Sequence, residues 1–429
     1  MLDIQLFREN PDLIRQALTK RHQETSPVDQ VIALDEKRRE LIQEVERVRA
    51  ERNQGSQEIK KIEDPDQRQE KIASLRAVGD QVDVLNNKLK EIELNLHSLL
   101  AEIPNLVDDR VPDGLDESEN ELLKTVGEVP CFNFEPQPHW DLGPALGILD
   151  FERGVKLSGT RFYVLNGVGA RLQRALVSFM LDTHTRHGYQ ERYTPFMVKE
   201  DVVFASGQLP KFAGNLYHDH EEDFWWIPTV EVALTGLHKD EILEESVLPL
   251  EYTAYSPCFR REKMSAGREV RGIKRGHQFD KVEMFIYCTP EDSEKQFQRM
   301  VEDAERVCQE LELPYRVNKL CTGDLGFHAA ITYDIEVWAA GCGEWLEVSS
   351  ISNVLDFQAR RGAIRYRSKD KKGTRFVHTL NGSGLGLPRV MIAVLENNQQ
   401  ADGSVVIPEV LRPWMGGVEL IEPDDLRGL

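Results

Sequence analysis

The sequence predicts an α+β protein, a largely antiparallel sheet domain preceded by a long antiparallel helical hairpin. Three observations predict it. Apolar residues recur from Ile72 to Leu99 in steps of three and four, the seam of a coiled coil. A Pro-free region of similar length, Val28 to Asp64, precedes it, and Glu63-Asp64-Pro65-Asp66 between the two is a turn signal. Beyond residue 139, short β-rich runs alternate with helical stretches and no internal repeat occurs, which suits an α+β domain.

The elements follow in chain order. Residues 1–26 hold a short amphipathic stretch with Leu6, Phe7, Leu13, Ile14, Ala17 and Leu18. The first long region carries Leu34, Leu41, Val45, Val48, Ile59 and Ile62. The second carries Ile72, Leu75, Val78, Val82, Leu85, Leu89, Ile92, Leu96 and Leu99. Two matched helices joined by one turn favour an intrachain hairpin over a dimerising coiled coil. At 1.5 Å per residue each is roughly 50 Å long, too long for a core element, so residues 1–103 are expected to form an arm. Residues 31–100 hold 13 basic and 15 acidic side chains, so the arm is nearly neutral. Residues 104–138 contain five prolines and many acids and read as a linker. Residues 139–429 form the α+β domain, with strands expected at Arg161–Leu165, Val282–Cys288, Tyr333–Trp338 and Trp345–Ser349, and helices at Arg171–His187, Pro290–Leu311 and Arg389–Gln399.

Composition narrows the function classes. The 429 residues carry a formal charge of −20, which argues against indiscriminate nucleic-acid binding but not against a local basic surface. No apolar run approaches the ~18 residues of a membrane span. The N-terminus shows neither a basic n-region nor an apolar h-region, so a cytoplasmic location is expected. The six cysteines (131, 258, 288, 308, 321, 342) form no CxxC pair, so no zinc ribbon or redox motif is visible.

Four segments carry chemistry. Between positions 260 and 275 stand seven basic and two acidic residues. An Arg at a strand end there could hold a phosphate bidentately, and Phe279 returning on the next strand could stack on a base; a solvated basic hairpin is the plainer alternative. Thr379 to Arg389 is rich in small residues and leads into an apolar helix, which lets a backbone approach a ligand closely; it lacks the P-loop pattern. Tyr333 to Trp338 and Glu347 to Ser350 alternate carboxylates and hydroxyls, suited to Mg²⁺ with phosphates or to an ordinary half-exposed strand. Thr229 and Glu231, two apart on an expected strand, would share a face suited to an ammonium.

Together these segments resemble the class II aminoacyl-tRNA synthetases, and within them the bacterial type of seryl-tRNA synthetase, over nearly the whole chain. Phe259-Arg260-Arg261-Glu262 is similar to motif 2. Gly384 to Arg389 is similar to motif 3, and the helix Leu172–His187 with Tyr189–Pro195 to motif 1, the dimer element. The seryl-type marks are Thr229-Val230-Glu231, Ser265-Ala266-Gly267, His277-Gln278-Phe279, Glu347 to Asn353, Asp356 to Arg361 and Asn381-Gly382-Ser383. Val230 stands where Ala is commoner, and Gly386-Leu387-Pro388 replaces a more usual Ala-containing run.

The resemblance implies a class II catalytic domain, a helical arm that binds tRNA, a homodimer, and no zinc. It implies the reaction of L-serine with ATP to give seryl-adenylate, then transfer to tRNA(Ser), with tRNA(Sec) a second candidate acceptor. Catalytic roles fall to Arg260, Glu262 and Arg389. ATP would be held by Arg260, Arg261, Glu262, Phe279, Glu347, Val348, Ser349, Ser350 and Arg389, with Mg²⁺ on Glu347 and Ser350. L-Serine would be held by Thr229, Val230, Glu231, Glu283 and Ser383; which carboxylate meets which substrate group is left open. Residues 360–375, with eight basic residues and one acidic, could contact RNA or form a solvated loop. A paralogue that loads a carrier protein would usually lack the arm, and a non-catalytic scaffold would have lost Arg260, Glu283 or Arg389.

Overall fold

A computed structural model describes residues 1–263, 271–369 and 372–423. Ser265-Ala266-Gly267 lies outside the described residues. The chain divides into two units, Leu2–Pro104 and Asn105–Leu429 together with Met1.

The first unit is helical. Helices α1 (Ile4–Glu9) and α2 (Pro11–Lys20) precede α3 (Ser26–Ile59) and α4 (Pro65–Ala101). Pro65 is the first residue of α4, and the Asp64 carboxylate caps it by accepting from Asp66 N and Gln67 N, so the turn ends where the Pro allows a helix to begin. Every seam residue from Ile72 to Leu99 is buried or half-buried, whereas Val84 and Leu94 off the seam are exposed. Gly55 sits on α3 where a Cβ would come within 2.6 Å of Leu75 Cδ2, so the two helices approach closely there. Asp35 is a buried acid on α3. It accepts a bidentate bond from Arg8 at 2.7 Å and one from Arg38 at 3.1 Å, which hold its carboxyl below the ordinary range.

The second unit is built on one eight-stranded sheet. In chain order its strands are β1 (Glu121–Val126), β2 (Gln190–Glu191), β3 (Leu250–Phe259), β4 (Gln278–Cys288), β5 (Tyr315–Lys319), β6 (Ile331–Ala339), β7 (Glu344–Leu355) and β8 (His378–Gly386). Their spatial order is β1-β5-β6-β7-β8-β4-β3-β2. All neighbours are antiparallel except β2 and β3. Residues 104–138 are therefore not only a linker: Glu121–Val126 is an edge strand. Its side chains are nearly all exposed, so no apolar alternation marks it, and it is held by backbone pairing to Tyr315–Lys319. The expected strand Arg161–Leu165 is shorter, Val164–Leu165.

Helices α5 (Gly167–Arg186), α6 (Glu231–Gly236), α7 (Ser293–Glu310) and α8 (Leu387–Asn397) complete the frame. Strand β4 shows how the sheet divides its labour. Val282, Met284 and Ile286 join Phe179 of α5, Phe297 of α7 and Ile392 of α8 in the large core. On the other face, Phe285 and Tyr287 pack with Val230, Val232 and Leu234. The alternation of a strand thus leaves Phe279, Lys281 and Glu283 on that second face, beyond the end of its apolar cluster.

Candidate active site

The exposed half of that second face forms a cleft of about 920 Å³ lined by Thr229, Glu231, Arg260, Lys281, Glu347, Ser350, Asn381, Ser383 and Arg389. A smaller recess of about 170 Å³ adjoins it and adds Glu262, Phe279 and Val348. Both share Arg260, Lys281, Glu347, Ser383 and Arg389.

Arg260 follows the last residue of β3. Its Nε donates to Pro228 O at 3.2 Å and its guanidinium lies 5.0 Å from the centroid of the Phe279 ring, a cation–π contact that fixes a flat, positively charged wall. Glu262 takes the left-handed backbone (φ 49°), and its carboxylate lies 3.6 Å from Arg275. Arg389 sits in the first turn of α8. It donates to Glu347 O at 2.7 Å, lies 3.3 Å from the Glu347 carboxylate, and contacts Lys274 O at 3.4 Å.

One β-bulge aims a pair of these groups, and a second ends the regular pairing just after Ser383. In the β6–β7 pair, Asp334 faces Ser350 and Glu336 faces Glu347, with Val348 the extra residue. Residues three apart on a regular strand point to opposite faces; the bulge turns Glu347 and Ser350 to the same one. In the β8–β4 pair, Ser383 faces Glu283 and Leu385 faces Val282, with Gly384 extra. An expectation from sequence is corrected here: Thr229 and Glu231 do not lie on a strand. Thr229 ends an irregular segment and Glu231 opens α6. They still line one cleft, because helix geometry turns Glu231 back toward β8.

The polar recess is densely bonded. Thr229 Oγ1 donates to Glu283 Oε2 at 3.2 Å. Glu231 Oε1 accepts from Gln358 Nε2 at 2.7 Å and from Asn381 Nδ2 at 3.2 Å, and His328 Nε2 lies 3.5 Å away. Burial raises the Glu231 and Glu283 carboxyls above their ordinary range, against the opposing charge of Lys281. Desolvation would raise Glu347 as well, but Arg389 and Arg260 outweigh it and take it below. Asp334 is pushed well above, by burial first and the Glu347 charge second, and its Oδ1 is buried with no hydrogen-bond partner among the described residues.

Three of the residues assigned from sequence stand elsewhere. Arg261 turns away from the cleft: its Nε donates to Leu216 O at 2.7 Å and its guanidinium lies over the Tyr217 ring at 4.7 Å, because consecutive residues at the end of β3 point to opposite sides. The Val230 side chain is fully buried in the second apolar cluster, so only its backbone is near Thr229 and Glu231. Ser349 is buried and its Oγ donates to Ser383 O at 2.6 Å, tying β7 to β8 rather than facing the cleft. Among the cleft residues without an assigned role are Lys281 and His328. Lys281 was findable, since it falls between Phe279 and Glu283 at strand spacing; no local pattern marks His328.

Among the described residues, one cluster gathers metal-type ligands, His139, Cys342 and Glu396. Ile273 N–H donates to His139 Nε2 at 3.1 Å, so Nδ1 carries the proton and donates to Glu396 Oε1 at 2.8 Å. Burial pushes the Cys342 thiol up. The cluster is a hydrogen-bonded latch between Ile273 and α8, with its histidine lone pair already used.

Residues 212–398 match the class II core domain of tRNA synthetases (G, H, P, S and T), and residues 1–107 match the seryl-tRNA synthetase N-terminal domain. A serine–tRNA ligase from a Roseiflexus species is 59% identical over 421 residues, covering 98% of this chain and 99% of its own. The crystal structure of a seryl-tRNA synthetase from Pyrococcus horikoshii complexed with ATP superposes with a TM-score of 0.91 at 38% identity, covering 99% of this chain and all of the other. A cytoplasmic serine–tRNA ligase from Naegleria fowleri in complex with AMP gives 0.86 at 32%, over 98% and 99%. With both of its units matched and relatives aligned along nearly its full length, the chain belongs to the seryl-tRNA synthetase family of class II enzymes.

Proposed function

We propose that this chain is a serine–tRNA ligase whose chemistry takes place where the cationic half of the cleft meets the buried polar recess. The carrying observation is Arg260. It lines both cavities, with Phe279 in the smaller one and Thr229 and Glu231 in the larger. ATP lies with adenine on Phe279 and its phosphates between Arg260 and Arg389. Glu262 meets the adenine side. Serine lies in the recess, its ammonium toward Thr229 and Glu231 and its hydroxyl toward Glu283 and Ser383.

In the first step a serine carboxylate oxygen attacks the α-phosphorus and the bond to pyrophosphate breaks. The nucleophile is already an anion, so no general base is required. Arg260 stabilises charge growing on the α-phosphate, and Arg389 holds the leaving pyrophosphate. Such fixed cations act by positioning and electrostatic stabilisation. In the second step a terminal ribose hydroxyl of tRNA attacks the seryl carbonyl and AMP leaves.

The residues fit Mg²⁺. Glu347 and Ser350 share a face, and Asp334 Oδ1 beside them is buried with no hydrogen-bond partner among the described residues, a set of hard oxygen donors. When bound, Mg²⁺ neutralises phosphate charge. We read the hairpin of α3 and α4 as the tRNA-binding arm, since each helix is roughly 50 Å long and RNA helices are recognised by shape and backbone contacts. We read α5 with Tyr189–Pro195 as a homodimer element; Tyr193 there is 83% exposed. Light scattering of the purified protein tests the dimer.

The test of function is amino-acid-dependent exchange of pyrophosphate into ATP, followed by charging of tRNA(Ser) and tRNA(Sec) transcripts. Serine-dependent exchange with charging of tRNA(Ser) is the expected result. Exchange driven by another amino acid, or by none, overturns the reading.

A further inference from the structure

We propose that Lys281 is a positioning residue of the serine recess, whose ammonium keeps Glu283 an anion aimed at the substrate hydroxyl. The proposal rests on the reading of the recess given above. Phe279, Lys281 and Glu283 alternate on one face of β4, so the lysine stands between the base-stacking ring and the hydroxyl acceptor. Its Nζ lies 2.5 Å from Glu283 Oε2 and donates to Thr229 Oγ1 at 3.3 Å. Its side chain is only 12% exposed and that of Glu283 1%, so this is a nearly dry ion pair.

The recess needs such a cation. Glu283 is buried beside a second buried carboxylate, Glu231, and both burial and that charge favour its protonated form. The other charged and titratable groups of the cleft and around it are already engaged. Arg260 is bonded to Pro228 O and lies over Phe279. Arg389 is paired with Glu347. His328 lies against Glu231. The Cys258 thiol is pushed up to about 11 by burial and is neutral. Among the described residues, Lys281 is the cation paired with Glu283. An ionised carboxylate only accepts, so the serine hydroxyl meets an acceptor without a competing proton.

The test is the pH profile of kcat/KM for serine in pyrophosphate exchange, measured on wild type, Lys281→Met and Lys281→Arg. The Met variant is expected to lose about tenfold more than wild type between about pH 8.5 and about pH 6.5, since removing an opposite charge raises a carboxyl. The Arg variant recovers most of that loss, and KM for ATP stays within about twofold of wild type in both. In a Glu283→Gln background, Lys281→Met adds no further pH dependence. If Lys281→Met does not fold, Lys281→Gln carries the same measurement. A wild-type profile in the neutral variant overturns the proposal. So does an equal displacement in the Glu283→Gln background, or a rise in KM for ATP as large as that for serine, which assigns Lys281 to the nucleotide. Absence of serine-dependent exchange in wild type is a separate result and overturns the functional reading instead.

Discussion

Ser383 stands directly opposite Glu283 in the β8–β4 register, so the two side chains share a face, and the bulge at Gly384 follows immediately after them. Thr229 and Lys281 reach the same Glu283 carboxylate. A serine hydroxyl placed there has partners that an alanine methyl lacks, and a pocket with unpaired polar groups rejects the smaller analogue.

Ser383→Ala is therefore expected to raise KM for serine and narrow the serine-to-alanine ratio by about 1–3 kcal/mol, the cost of one buried hydrogen bond. Glu231→Gln is expected to weaken both amino acids together, because its partner is the ammonium that every amino acid carries. Pyrophosphate exchange with serine and alanine on both variants checks this. A ratio unchanged in Ser383→Ala and collapsed in Glu231→Gln would show the recess assigned the wrong way round.

Arg260→Ala should lower the rate of adenylate formation rather than the affinity for ATP. Its charge is placed for the α-phosphate at the moment of attack, and loss of such a contact costs ~3–4 kcal/mol of transition-state stabilisation. Single-turnover formation of adenylate measures it. An unchanged rate would remove Arg260 from this role.

Removal of the arm, roughly residues 30–100, should leave adenylate formation near wild type and abolish charging of tRNA. The four chemical segments all lie in the unit Asn105–Leu429, and the hairpin closes its own seam. A folded truncated protein that loses exchange as severely as charging would contradict this division.

Gly384→Ala tests the bulge. A Cβ there would lie 2.3 Å from His184 Nε2, which is bonded to Gly384 O at 2.8 Å. His184 is fully buried and burial pushes it down to about 4, so it is neutral and donates that bond. Overpacking of this kind costs about 1–3 kcal/mol. A lower Tm together with a raised KM for serine is expected, since Ser383 is the adjacent residue. A variant with unchanged Tm and KM would show the strand free to relax.

The sequence by itself determined what is local or periodic. The hairpin was legible because its seam repeats at the coiled-coil spacing and Glu63-Asp64-Pro65-Asp66 signals a turn. Phe279 was legible as a ring returning on the strand after the basic segment, and Arg260 and Arg389 stood out by motif. Tertiary structure decided the rest. Glu347 and Ser350 point the same way only because Val348 is left unpaired opposite β6. Glu231 reaches the recess from a helix start, where a strand had been expected. Glu121–Val126 is a strand only through its pairing with Tyr315–Lys319. Arg261 and Ser349, beside motif residues, bond to Leu216 and Ser383 instead of facing the cleft. Each of these depends on which distant strand a segment pairs with and at what register, and a one-residue shift in register reverses every side chain. Side-chain spacing along a single strand carries no record of that choice.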